Sequence, residues 1–290
     1  FVNYMATDKL AFTFGRLPTA NGSPYNMTRN ESSGGAYPLL SYNAFFDGLA
    51  LSYQVTPELS AKFIYTPFQY IMGTSATTGA ANKTTSGKDV DSPSDTWSAM
   101  LDYQKLNTSW ARKMNIVFHY IKANKIAFDL EDLDNAGNST GKTDFNFDIA
   151  RAVLAIELNG VAGSKFDLGL QIMSITHNTN DPYIVADGVG GTTDLHFVSD
   201  GEEKTGQISV LTMRYALNSM NKIGIQYTQT SQDAFASDLV AKTPIDFYGV
   251  AGSGYHVFYN RAFEGGLNMN VGAYQVQQDY AAPVLGLFVE

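Results

Sequence analysis

Runs that alternate apolar and polar residues recur along this chain, and two of them stand back to back in Gly206–Tyr227. Leu211, Met213, Tyr215 and Leu217 alternate with Thr212, Arg214 and Ala216. After Asn218–Asn221, Ile223, Ile225 and Tyr227 alternate with Gly224, Gln226 and Thr228. A period of two sends successive side chains to opposite faces of a strand, so the stretch predicts a hairpin with one apolar and one polar face. A soluble barrel or sandwich turns such an apolar face inward. A membrane barrel turns it outward.

The rhythm repeats elsewhere. Leu10, Phe12 and Phe14 form one face of a strand over Leu10–Gly15. Leu49–Val55 and Leu59–Tyr65 are joined by the short Thr56–Glu58, and Thr96–Gln104 is joined to Met114–Tyr120 by a short link near Asn107–Ala111. Phe145–Leu158 and Phe166–Ile172 flank the turn Asn159–Ser164. The strands Tyr255–Phe263 and Leu267–Val276 flank Glu264–Gly266. In Phe145–Leu158 the parity slips at Arg151, with Phe145, Phe147 and Ile149 before it and Leu154, Ile156 and Leu158 after, which predicts a bulge there.

The links between runs alternate strictly between short and long. The long ones are Leu17–Phe46, Pro67–Ser94, Lys122–Thr143, His177–Lys204 and Ser231–Ser253. Sandwiches scatter long loops among mostly short connections, whereas outer-membrane barrels have short periplasmic turns and long outer loops, with strands of about 9–11 residues. Tyr53, Tyr65, Tyr103, Tyr120 and Tyr227 fall near strand ends, where an interfacial aromatic girdle sits. The expected fold is all-β, an antiparallel transmembrane β-barrel meander of about 11–12 strands forming one domain over residues 1–290. Phe1–Met5 reads as the tail of a strand and Ala281–Glu290 as the start of an outer loop, so the barrel is expected to be incomplete at both ends.

Composition agrees. The chain has 18 Phe, 17 Tyr and 26 Gly with 16% charged residues, which suits many strands joined by turns. Its net charge of −9 and lack of any basic face argue against a nucleic-acid partner. With no cysteine, disulfide staples, thiolate metal sites and cysteine nucleophiles are excluded. There is also no apolar run long enough for a transmembrane helix.

The segment Leu10-Ala-Phe-Thr-Phe-Gly15-Arg16-Leu-Pro18-Thr19, followed by Pro24-Tyr25 and Tyr37-Pro38, resembles the signature segment of an uncharacterised family of Gram-negative outer-membrane proteins. A strand ending in Gly-Arg is also similar to general porins. The resemblance implies a bacterial outer-membrane location and no catalytic residues.

Motifs for chemistry are sparse. His119, His177, His196 and His256 are far apart with no H-E-x-x-H pair. Gly252-Ser253-Gly254 is not a nucleophile elbow, and Gly188–Gly191 lacks the helix of a nucleotide loop. The acidic stretch with Asp129, Glu131, Asp132 and Asp134 resembles a calcium loop only in part, since Ala136 and Thr143 occupy ligand positions; a solvated acidic loop is the better reading. No cofactor and no enzymatic activity are expected.

If the apolar faces meet lipid, Lys62, Asp102, His119, Asp148, Glu157, Asp167, Gln171, Arg214 and Gln226 line the interior. A charged lining of both signs suits a water-filled lumen. The leading functional expectation is a porin-like channel for small hydrophilic solutes, in contact with outer-membrane lipid and lipopolysaccharide. Arg16 is then a candidate for a constriction formed with an inward-folded Leu17–Phe46 loop. Two alternatives stand beside it: a structural or docking barrel that sheathes a partner, and a soluble exported β-protein. A homo-oligomer or a periplasmic partner fits either barrel reading.

Overall fold

The computed structural model describes residues 2–17, 22, 25–30, 37–38, 40–41, 46–68, 94–133, 139–179, 203–231, 233–234, 251–264, 266–278 and 283–289. Among these, Arg16, Tyr25, Phe46, Asp47, Phe68, Ser94, residues 125–133 and 139–147, Asn178, Thr179, Gln278, Val284 and Phe288 are described by their backbone alone.

Among the described residues, thirteen antiparallel strands form one sheet in which every strand pairs with its neighbours in sequence. They are β1 (Val2–Thr7), β2 (Leu10–Leu17), β3 (Phe46–Gln54), β4 (Leu59–Phe68), β5 (Ser94–Leu106), β6 (Ala111–Leu133) and β7 (Ser139–Val161), then β8 (Phe166–Thr179), β9 (Lys204–Ala216), β10 (Asn221–Thr230), β11 (Gly252–Ala262), β12 (Asn268–Gln278) and β13 (Val284–Val289). A single helical turn, α1 (Tyr25–Thr28), lies in the connection between β2 and β3.

The connections that follow β1, β3, β5, β7, β9 and β11 are short and fall at one end of this meander, and the long connections that follow β2, β4, β8 and β10 fall at the other, together with the shorter ones after β6 and β12. Side chains cap the short turns locally. Thr108 Oγ1 accepts from the Trp110 and Ala111 amides, and Asn218 Oδ1 accepts from the Met220 and Asn221 amides at 2.9 and 2.8 Å. Such bonds let a hairpin reverse without leaving backbone donors unpaired.

The two faces of the sheet are inverted relative to a soluble protein. On one face Phe63, Leu101, Phe118, Met213, Ile223, Ile225 and Val257 are exposed. On the other Asp102, Asn115, His119, Arg151, Glu157, Gln171, Arg214 and Asn260 are buried. This second face is the inner one, because the β2–β3 connection packs against it. Residues 26–30 of that connection bond to β7, β9, β10 and β11. Laid flat, β7 and β11 stand about 19 Å apart, while a four-residue helical turn is about 6 Å long, so the sheet must curve around the segment.

The outer face carries cross-strand aromatic pairs toward both ends. Phe166 and Tyr215 meet in a tilted pair at 4.8 Å between ring centroids beside the short turns, while Trp97–Tyr120 at 5.5 Å and Tyr227–Tyr255 at 4.9 Å lie toward the long connections. Each such pair contributes about 0.5–1.5 kcal/mol beyond its buried area.

Four details depart from the sequence expectation. The chain end expected to begin a loop instead pairs as β13, with Val276↔Val284 and Val271↔Val289 in register, which brings the strand count to 13. The acidic stretch expected as a long link is a hairpin arm, for β6 runs to Leu133 and β7 starts at Ser139. The bulge expected at Arg151 is absent, and the β7–β8 ladder runs unbroken from Phe147↔Thr179 to Asn159↔Asp167. The irregularity sits on the opposite strand, where the register shifts between Ala123 and Ile126 across from Asp148. Finally, Ile149 is buried on the inner face beside Arg151 and Val153, so β7 keeps one parity throughout and simply places apolar residues inward.

Candidate functional site

The inner face is richest in charge near the short-turn end, where strand register brings polar residues from successive strands side by side. Asn115 is in register with Glu157, Asn159 with Asp167, Asp167 with Arg214, and Lys222 with Asn260. Gly224 follows Arg214 around the sheet in register, and a Cβ there would lie 2.2 Å from the Phe258 ring, so only glycine admits that inward ring.

Buried charges cost several kcal/mol each unless paired and hydrogen-bonded, and these are. Arg214 donates from Nε and Nη2 to Asp167 Oδ2 at 3.0 and 2.8 Å, while the other Asp167 oxygen accepts from the Gly160 amide at 2.8 Å. Glu157 accepts from Asn159 at 2.8 Å and from Asn26 at 3.0 Å. Asp102 accepts from Gln104 at 3.0 Å and Asn115 at 3.1 Å. Higher on the same face Gln226 donates to Thr212 at 2.9 Å.

Several of these groups reach inward to the β2–β3 connection. Arg214 Nη1 donates to the Met27 carbonyl at 3.0 Å, Asn260 Nδ2 to the Thr28 carbonyl at 2.6 Å and to Asn270 at 2.7 Å, and Lys222 Nζ to Asn30. Met27 and Thr28 end α1, so wall side chains bond carbonyls at the C-terminus of the helical turn, and that of Met27 also accepts from the Asn30 amide at 3.4 Å. Across the lumen, Lys62 Nζ donates to the Tyr37 hydroxyl at 3.3 Å and stands 4.9 Å from the centre of that ring, whose other neighbour is His119 at 5.7 Å. Tyr37 also joins Leu17, Ala50, Ile64, Met100, Val117, Ile121 and Ala155 in a buried apolar cluster. The connection is thus held by polar anchors on one side and by an aromatic wedged into an apolar patch on the other.

The sequence-derived candidates divide accordingly. Asp102, His119, Asp167, Gln171, Arg214 and Gln226 are buried on the inner face, and Lys62 is partly buried there. Asp148 is a correction. It is exposed, with the parity of Leu154 and Ile156, because no bulge reverses β7 above Arg151. Arg16 pairs with Asp47 at the end of the β2–β3 ladder, and its side chain falls outside the described residues. Asp129, Glu131 and Asp132 occupy β6 positions opposite Asp144, Lys142 and Gly141 with undescribed side chains, and Asp134 lies outside the described residues.

The family of proteins of unknown function designated DUF3373 matches residues 1–282. The chain belongs to the DUF3373 family. No curated protein matches this DUF3373 chain in sequence. Among solved structures it is similar to Acinetobacter baumannii OccAB4, with a TM-score of 0.50 and 13% identity over 99% of this chain and 62% of that one. It is also similar to Pseudomonas aeruginosa OccK3 (TM-score 0.48, 12% identity, 99% and 66%) and to the ferric-catecholate import receptor Fiu of E. coli (TM-score 0.43, 12% identity, 97% and 51%). All are outer-membrane β-barrels. The DUF3373 chain spans less than two thirds of the length of each, and at these identities the OccAB4 likeness bears on the fold alone.

Sequence reading missed the anchors Asn26, Lys222 and Asn260, and Glu157 was placed inward without a partner. Lys222 was legible in principle, since it has the inward parity of Gln226. The Met27 and Thr28 acceptors are backbone atoms and leave no side-chain signature.

Proposed function

We propose that this chain forms the wall of a porin-like channel in a bacterial outer membrane, through which small hydrophilic solutes diffuse, and that the β2–β3 connection narrows its lumen. The observation that carries the reading is the inversion of the sheet: charged and amide side chains are buried inside while large apolar side chains stand exposed outside. Water cannot be the medium on that outer face at low cost, because contiguous apolar surface of this extent is rare on soluble proteins. A hydrocarbon medium accounts for the exposed leucines, isoleucines and phenylalanines and for the aromatic pairs toward the strand ends. Lipid and lipopolysaccharide are then the outer partners. A soluble exported β-protein has this inversion against it.

A structural or docking barrel keeps one specific observation in its favour. Met27, Leu40 and Ser41 of the inward connection are fully buried, and wall side chains bond to residues 26–30 from four strands. A segment held this firmly suits a closed lumen as well as a narrowed one.

Conductance of the full-length native protein in a planar lipid bilayer separates the two. Discrete, stable current steps are the expected result. Silence from protein that inserts and resists heating in detergent would overturn the channel reading in favour of the closed barrel.

A further inference from the structure

The inner face carries a charge balance opposite to that of the chain. The sequence has 28 acidic against 19 basic residues. Among the residues with described side chains, the inward positions of the strands hold the cations Lys62, Lys113, Arg151, Lys204, Arg214 and Lys222 and the anions Asp102, Glu157 and Asp167. Asp167 pairs with Arg214 at 2.8 Å, which cancels one charge of each sign and leaves Lys62, Lys113, Arg151, Lys204 and Lys222 against Asp102 and Glu157. Of the other acids with described side chains, Asp233 lies against inward-facing Gly206 at the long-connection end, where its carbonyl bonds His177, whereas four stand off this face. Asp95 and Asp148 take outward parity toward the long connections, and Glu58 and Glu264 lie in the short turns.

The excess of cations is concentrated where the inward connection meets the wall. Of the wall side chains that bond to this connection, Lys62, Arg214 and Lys222 donate as cations and Glu157 accepts as an acid. The connection adds Arg29, next to Thr28, and no acid among its described residues. Lys62 faces a tyrosine and Lys222 an asparagine amide oxygen, so neither ammonium charge is cancelled by those bonds. A lumen lined by one sign of charge within low-dielectric walls focuses the field and concentrates ions of the opposite sign, and basic rings are how pores select anions.

We infer that the lumen prefers small anions over cations, with Lys62 and Lys222 on either side of the inward connection as specificity-determining residues. This rests on the channel reading above. The test is the reversal potential of the full-length protein in a planar bilayer under a KCl gradient. The expected chloride-to-potassium permeability ratio is on the order of ten at about 0.01 M salt, where the Debye length is about 30 Å, and approaches one near 1 M, where it is about 3 Å. The double variant K62Q/K222Q should bring the low-salt ratio several-fold closer to one. Lys62→Arg should retain it, as should Lys105→Gln, an exposed outer-face position.

Clear steps with a ratio at or below one in the native protein would overturn the inference and leave the channel reading standing, and this readout does not depend on any variant folding. A ratio unmoved by K62Q/K222Q in an intact pore would overturn the assignment to these two lysines. Absence of steps from inserted protein would remove the channel reading itself and the inference with it.

Discussion

Leu101 and Asp102 are neighbours in the chain and live in opposite surroundings. Leu101 is 47% exposed and Asp102 only 7%. The same holds for Met213 at 44% and Arg214 at 6%. In a soluble sheet both pairs would be reversed, since burying a leucine or methionine gains about 1.5–3 kcal/mol and burying an unpaired charge costs more than that. The contrast teaches that the two faces are solved by different means. Inside, buried charges are held by partners, as Asp102 is by Asn115 and Gln104 and Asp167 by Arg214. Outside, packing between strands leaves broad apolar surface that requires a non-aqueous neighbour.

The contrast breaks most sharply at Asp167. Replacing it with alanine strands the Arg214 guanidinium among buried groups and removes the acceptor of the Gly160 amide. Breaking a buried pair in this way costs about 3–5 kcal/mol, whereas a solvated pair is worth about 1 kcal/mol or less. Urea unfolding of protein refolded into phospholipid vesicles should show the larger loss, with Asp167→Asn in between. A loss at or under the smaller figure would mean that water fully screens this part of the lumen.

The outer face offers the next largest effect. Leu101 lies mid-strand, in register with Ala61 and Phe118. Leu101→Lys should cost about 2–4 kcal/mol by the same vesicle assay if this face meets the bilayer core. On a soluble protein an exposed leucine tolerates lysine within about 0.5 kcal/mol. The outcome therefore tests the inversion itself.

How much of this was legible in sequence follows from the same contrast. Where the faces differ in polarity, as at Leu211–Leu217 and Ile223–Tyr227, the period of two placed every residue on its correct side. Where apolar residues occupy both faces the signal vanishes. Ile64, Met100, Val117, Ile121 and Val153 line the inner face under the connection without marking themselves as such. The same mixture at Ile149 suggested a bulge on β7 that lies on β6 instead. Lys122–Thr143 read as a loop because its charges and amides hide the alternation and a register shift interrupts it, although both arms pair as strands. The inward fold of the β2–β3 connection was anticipated at Arg16, yet the residues seen to hold it are Asn26, Lys62, Arg214, Lys222 and Asn260, most of them distant in sequence. Their partners include backbone carbonyls that any residue supplies.

The finest version of the comparison uses Tyr259 and Asn260, adjacent on β11. Asn260 is fully buried and bridges the Thr28 carbonyl to Asn270, fastening the inward connection to the wall. Tyr259 has the opposite parity, and its hydroxyl donates to Asn221 beside the short turn. Asn260→Ala leaves the Thr28 carbonyl without this donor and should cost about 1 kcal/mol. Tyr259→Phe keeps the ring on the outer face and should change stability by under about 0.5 kcal/mol. Stability alone separates these variants only modestly, but current recordings separate them further. Loosening the connection at Asn260 should raise open-channel noise and mean conductance, while Tyr259→Phe should leave both as in the native protein. Equal behaviour of the two variants would mean that the Asn260 anchor does not set the width of the lumen.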